Sequence, residues 1–157
     1  MKEKSRLTVE ERLDIQELFA RYCWGLNTGD IKQVLSCFTP DGYLSHPPQG
    51  RCEGEAGIRA LLDELWYSRA KPFIGRQHLA NHFMFSREDG GVRVKAYWTI
   101  VQKEIETGRT LIHALGHWDN LCMKDGDRWL FRALEVTIWN KGTVPWVGRD
   151  PGSRESA

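Results

Sequence analysis

The apolar positions change period once along the chain, and that change divides it into a helical half and a strand half. Val9, Leu13, Leu18, Phe19, Tyr22, Cys23 and Leu26 recur near helical spacing. They predict a helix that opens at a Thr8/Glu11 capping box, runs to about Asn27 and is broken at Gly29. Asp30 caps a short second helix over 31–38, with Gln33 in the capping-box place. Residues 39–42 carry turn chemistry, 43–46 form a short strand stopped by Pro47 and Pro48, and 51–54 form a further extended piece. A third helix follows from Glu55 to about Ser68, with Ile58, Leu61, Leu62, Leu65 and Trp66 on its apolar face.

From Arg76 the period is two. Strands are expected over 76–87, 92–104, 110–123 and 128–139, joined by Gly- and Asp-rich turns. These connections are too short for crossovers, so an all-parallel sheet is excluded. The expectation is an α+β fold: a cone made of a curved antiparallel sheet with three helices packed on one face. Residues 1–157 read as a single domain, with 1–7 and 140–157 as irregular tails. Two helices lying on a curved sheet leave a cone open at one end, the default place for a site. The last strand is apolar on both faces (Leu130, Leu134, Val136 and Ile138 opposite Trp129, Phe131 and Ala133). Its outer face therefore wants covering, and a homodimer or higher homo-oligomer is expected.

Composition narrows the partners. The net charge is +1, with both signs interspersed, which argues against nucleic acid and anionic membrane surfaces. No apolar run approaches about 18 residues and no signal-peptide pattern opens the chain, so a soluble, cytoplasmic protein is expected. Cys23, Cys37, Cys52 and Cys122 form no C-x-x-C pair and read as reduced thiols. Seven tryptophans, among them Trp24, Trp66, Trp118 and Trp146, exceed what packing alone explains and suggest an aromatic-lined cavity for a small molecule.

No nucleophile elbow, Walker A or dinucleotide fingerprint is present, and neither a metal nor an organic cofactor is expected. His78/His82 and His113/His117 have metal-like spacing. On a strand, however, each pair would stand about 13 Å apart at ~3.3 Å per residue. His78 has two readings: a packed structural histidine, or an acid/base group able to take and return a proton near neutral pH. Asn27 reads either as an ordinary helix-end residue or as a polar group facing the cone, and Tyr22 as a core tyrosine or a site phenol.

Several local strings decide how these readings are weighed. Residues 21–30, 38–43, 54–58, Gln77–His78 and 125–131, in this order of elements, resemble the SnoaL-like branch of the NTF2-like superfamily. Within it the chain looks most like the scytalone dehydratase and bile-acid 7α-dehydratase types. That resemblance implies a helix-borne Tyr and acid working with a strand-borne His. Tyr22 falls five residues before Asn27, where the family has its acid, and the strand-borne base falls at His78. By the same resemblance Tyr43, Trp118 and Asn120 face substrate and Tyr97 and Thr99 line the third strand, while the tryptophan count adds Trp24 and Trp66 as substrate-facing aromatic walls. The apolar parity of Val92, Val94, Ala96, Trp98 and Ile100 argues instead for a one-residue slip of that strand. The implied activity is a cofactor-independent dehydratase acting on a small apolar oxygenated molecule. An isomerase or cyclase and a non-catalytic binding or structural subunit stand as alternatives. A carboxamide at Asn27 can orient a histidine but cannot stabilise its imidazolium as a carboxylate would.

Overall fold

The computed structural model describes residues 6–67, 75–88, 90–146 and 148, except for the side chains of Trp66 and Tyr67. Helix α1 spans Val9–Thr28. Thr8 Oγ1 accepts the Glu11 N–H at 3.1 Å, and Glu11 Oε2 accepts the Thr8 N–H at 2.9 Å, so the capping box forms. Gly29 closes the helix with φ 73°, a left-handed conformation that costs glycine little. Helix α2, Ile31–Leu35, is capped by Asp30, which accepts the Gln33 N–H at 2.9 Å. The Gln33 side chain donates instead to the Arg21 carbonyl at 2.7 Å and ties α2 to α1.

Strand β1 runs Phe38–His46 and β2 Gly50–Glu53. Helix α3 is Gly54–Leu62, ending in a single π turn over Asp63–Tyr67. The long strands are β3, Arg76–Glu88; β4, Gly91–Lys103; β5, Thr110–Asp125; and β6, Arg128–Ile138. They make one six-stranded sheet in the order β2-β1-β6-β5-β4-β3.

Two features differ from the sequence expectation. The sheet is antiparallel except between β1 and β6, which pair in parallel. Residues 39–42 do not form a separate turn but a bulged part of β1, between the pairs Phe38–Phe131 and Tyr43–Ala133. A bulge absorbs extra residues without ending the strand.

The core lies between α1, α3 and the concave sheet face. Phe19, Tyr22, Trp118 and Phe131 meet there in edge-on and tilted contacts, with ring centroids 5.1–6.1 Å apart. Such aromatic contacts are favourable beyond the area they bury. On β4 the even positions Val92, Val94, Ala96, Trp98 and Ile100 face inward, so the apolar parity predicted the face correctly. On β6 a register shift opposite Leu121/Cys122 breaks the simple alternation: Trp129, Leu130, Phe131, Ala133 and Leu134 are all buried.

Candidate active site

The site begins where α1 ends. Asn27 occupies the last turn of α1, beside the free edge of β3. Its Oδ1 accepts the His78 backbone N–H at 3.0 Å and meets His78 Nδ1 at 2.7 Å. An amide oxygen only accepts, so Nδ1 carries the ring proton and the imidazole lone pair is on Nε2. Asn27 thus holds both the strand edge and the tautomer of a histidine 51 residues away.

His78 is 7 % exposed. Burial pushes its pKa down to about 3, helped by the nearby positive charge of Arg76 and by His113. The ring is therefore neutral across the physiological range. Arg76 donates from Nε to Gln102 Oε1 at 2.9 Å and from Nη2 to His113 Nε2 at 2.8 Å. Burial, and then Arg76, lower the pKa of His113.

His78 lines a small cavity of about 30 Å³ with Tyr22, Leu26, His46, Trp98, Ile100, Trp118 and Val136. It also lines a larger groove of about 940 Å³ between α1 and β3, to which Cys23, Trp24, Asn27 and Arg76 contribute. The pair Asn27–His78 stands at the boundary of the two. The small cavity is built from apolar and aromatic walls with a few polar groups, and its volume is close to that of one water rather than of a whole ligand.

Of the residues singled out from sequence, the structure brings Tyr22, His78 and Trp118 to the small cavity, with Asn27 behind His78. Asn120 also faces inward, fully buried, but its Oδ1 accepts the Glu135 backbone N–H at 3.1 Å and it does not line the cavity. Tyr43 turns outward. Its hydroxyl donates to Glu135 Oε1 at 2.5 Å, and the Arg51 guanidinium lies 3.7 Å from its ring centre. Tyr97 and Thr99 lie on the outer face because the inward register of β4 belongs to Trp98 and Ile100. Tyr97 packs there against Trp139, ring centres 5.4 Å apart. Trp24 is 65 % exposed on the groove side, and Trp146 is 69 % exposed. The side chain of Trp66 lies outside the described residues.

The histidines of each pair do not share a strand face. A bulge between Asn81 and Met84, with His82 at φ 54°, sends His82 outward toward Tyr97. His113 is the extra residue of a bulge in β5 and bonds Arg76, while His117 Nδ1 accepts from Trp139 Nε1 at 2.8 Å. Among the described residues no group of three His, Cys, Asp or Glu side chains is placed to share a metal ion. The buried thiols of Cys23 and Cys122 are pushed up by burial, Cys23 to about 12, which suits packing rather than nucleophilic chemistry.

Sequence reasoning missed His46 and Trp98. His46 ends β1 just before Pro47, and burial lowers its pKa against the opposing pull of hydrogen bonds to Gln49 and Pro47. The signal for Trp98 was its inward parity with Val94 and Ala96.

A curved sheet wrapped over helices, with a histidine lining the remaining cavity, defines an α+β cone. Residues 7–135 match the family model described as a SnoaL-like domain, and the chain belongs to that family. No curated protein matches it. Solved structures match its fold at low identity. A protein of unknown function with a cystatin-like fold from Nostoc punctiforme superposes with a TM-score of 0.76 at 19 % identity, over 87 % of this chain and 97 % of that one. ActVI-ORFA from Streptomyces coelicolor gives 0.75 at 20 % identity, over 83 % and 98 %. A candidate scytalone dehydratase from Novosphingobium aromaticivorans gives 0.71 at 15 % identity, over 84 % and 86 %. No helix among the described residues is long and apolar enough to cross a membrane.

Proposed function

We propose that this chain is a cofactor-independent carbon–oxygen lyase of the dehydratase type. Its substrate is a small, mostly apolar, oxygenated molecule such as a polyketide, steroid-like or terpenoid intermediate. The observation that carries this reading is the double contact of Asn27 Oδ1, which sets His78 as a neutral base with its lone pair on Nε2. His78 removes a proton from the carbon next to a carbonyl. The C–H electron pair moves into an enolate, and the negative charge builds on oxygen. The enolate then re-forms the carbonyl and expels the β-hydroxyl, which takes the proton back from the imidazolium and leaves as water. The enzyme is regenerated and the substrate has lost one water. The low proton affinity of His78 makes its imidazolium a strong acid and speeds that return.

A second reading keeps the same pocket. Asn27 provides no counter-charge to hold the imidazolium, so the proton returns quickly, and return to a different carbon makes the enzyme an isomerase or, with internal attack, a cyclase. A cavity of about 30 Å³, little more than a water's space, favours a third reading, a non-catalytic ligand-binding or structural subunit. The test is incubation with a panel of polyketide-type β-hydroxy ketones, followed by mass spectrometry. Loss of one water supports the dehydratase, and unchanged mass with altered retention supports isomerisation or cyclisation. His78→Ala is expected to lower turnover by ~10²–10⁴-fold. Full turnover in that variant, on a substrate the native protein converts, would remove His78 as the base.

A further inference from the structure

One residue lining the small cavity, Trp98, carries a buried donor that the acid/base scheme does not use. Trp98 lies on β4 opposite Ala80 and Gly116, facing inward and 3 % exposed. Its Nε1–H is buried and has no hydrogen-bond partner among the described residues. An N–H buried without an acceptor is costly, and native structures meet such groups with water or ligand. The cavity beside it, about 30 Å³, has room for one water or one ligand oxygen, since a water needs ~10–15 Å³ of such space.

The sheet register relates this donor to His78. His78 pairs with Ile100 and Ala80 with Trp98, so His78 and Trp98 are diagonal neighbours on one face. Diagonal positions stand ~7–8 Å apart, within reach of long side chains converging on a shared small group. The indole is held rigidly. A β-carbon at Gly116 would come within 2.6 Å of Trp98 Cζ2, so the glycine at 116 makes the seat in which the ring lies. Trp118 flanks it, with ring centres 6.3 Å apart.

We propose that the Trp98 indole N–H is the oxygen-binding donor of this site, recognising an uncharged carbonyl oxygen on the ligand. An indole N–H donates and cannot accept, so it binds an acceptor oxygen, most strongly one on which negative charge builds such as a carbonyl becoming an enolate, and it cannot accept a hydroxyl's proton. A fixed donor placed where charge develops stabilises that charge without reorganisation. This assignment rests on the proposed reaction for its catalytic consequence, but not for the binding contact itself. Tyr43, which the sequence resemblance placed against substrate, faces outward and does not compete for this role.

The test uses a bicyclic aryl ketone, 1-tetralone, of which only the carbonyl oxygen need enter the small cavity, and its oxygen-free counterpart, tetralin. The native protein is expected to bind the ketone about tenfold more tightly, the value of one net hydrogen bond. The proton resonance of the Trp98 indole is expected to move downfield on ketone binding and not on tetralin binding. In Trp98→Phe the two ligands are expected to bind equally. If that variant does not fold, the resonance shift in the native protein decides alone. No ketone preference in the native protein, no shift of the Trp98 resonance, or a preference retained in a folded Trp98→Phe variant each overturns the assignment. In His78→Ala the preference is expected to remain while turnover is lost. Turnover surviving in His78→Ala refutes the base and leaves the Trp98 contact standing.

Discussion

At the scale of single residues, the proposed chemistry turns on Asn27 and His78. Asn27 orients the ring without adding charge, so burial keeps His78 neutral. Asn27→Asp would place a carboxylate against Nδ1–H and raise the His78 pKa. We expect an acid limb to enter the pH–rate profile of that variant, with flat activity down to lower pH in the native protein. Identical profiles would show that position 27 does not tune the histidine. The same depressed pKa has a consequence for stability. The folded value, about 3, lies below the unfolded value near 6.5, so unfolded chains bind the extra proton first. The His78 contribution is complete above pH ~6.5 and is lost as the pH falls toward ~3, by on the order of a few kcal/mol. Urea midpoints at pH 7 and pH 4 should fall less in His78→Asn than in the native protein. An equal fall in both would mean that carboxylates carry the whole acid sensitivity.

At the scale of elements, glycines and bulges place the site. Gly25 lets α2 pack close to α1: a β-carbon there would lie 2.7 Å from Val34 Cγ2 and 3.2 Å from the Asp30 carbonyl. Gly25→Ala gains helix propensity of about 0.5–1 kcal/mol but overpacks this contact, which typically costs 1–3 kcal/mol. Net destabilisation is expected in urea unfolding, and a gain in stability would mean that α2 yields easily. The bulges were harder to foresee. The alternation along 76–88 predicts a strand, but nothing in it marks the extra residues at Asn81–Met84 that turn His82 outward. Strand β4 shows the opposite lesson. Its apolar parity pointed inward at Trp98, against the resemblance that put Tyr97 and Thr99 in the pocket, and packing followed the parity. The inward face takes the large apolar areas of Trp98 and Ile100 and leaves the hydroxyls of Tyr97 and Thr99 on the outer face.

At the scale of the whole molecule, the convex sheet face carries an apolar strip. Leu79, Thr99 and Leu115 align across three strands, beside Ile112 and Tyr97; Ile112 is 64 % exposed. The homo-oligomer expected from sequence is proposed to use this face. Sedimentation at micromolar concentration should show a dimer, and Ile112→Lys combined with Leu115→Lys should shift it to monomer. A native protein that is monomeric throughout would rule this out.

What the sequence determined by itself was local. Helical and strand periods placed every long element, Thr8, Asp30 and Gly29 placed the helix ends, and the β4 parity marked an inner face. These follow from neighbours a few residues apart, where side-chain direction is set by backbone period. What the tertiary structure alone decided was which distant side chains meet. The parallel pairing of β1 with β6, the outward turn of Tyr43, the isolation of His82 and the contact between Asn27 and His78 depend on strand order, bulges and register. Periodicity fixes a face, but it does not state which strand lies alongside or where an extra residue shifts the pairing. The orphaned indole of Trp98 belongs to the same class: only the folded sheet shows that its N–H is buried without a partner and that its ring lines the cavity His78 also lines.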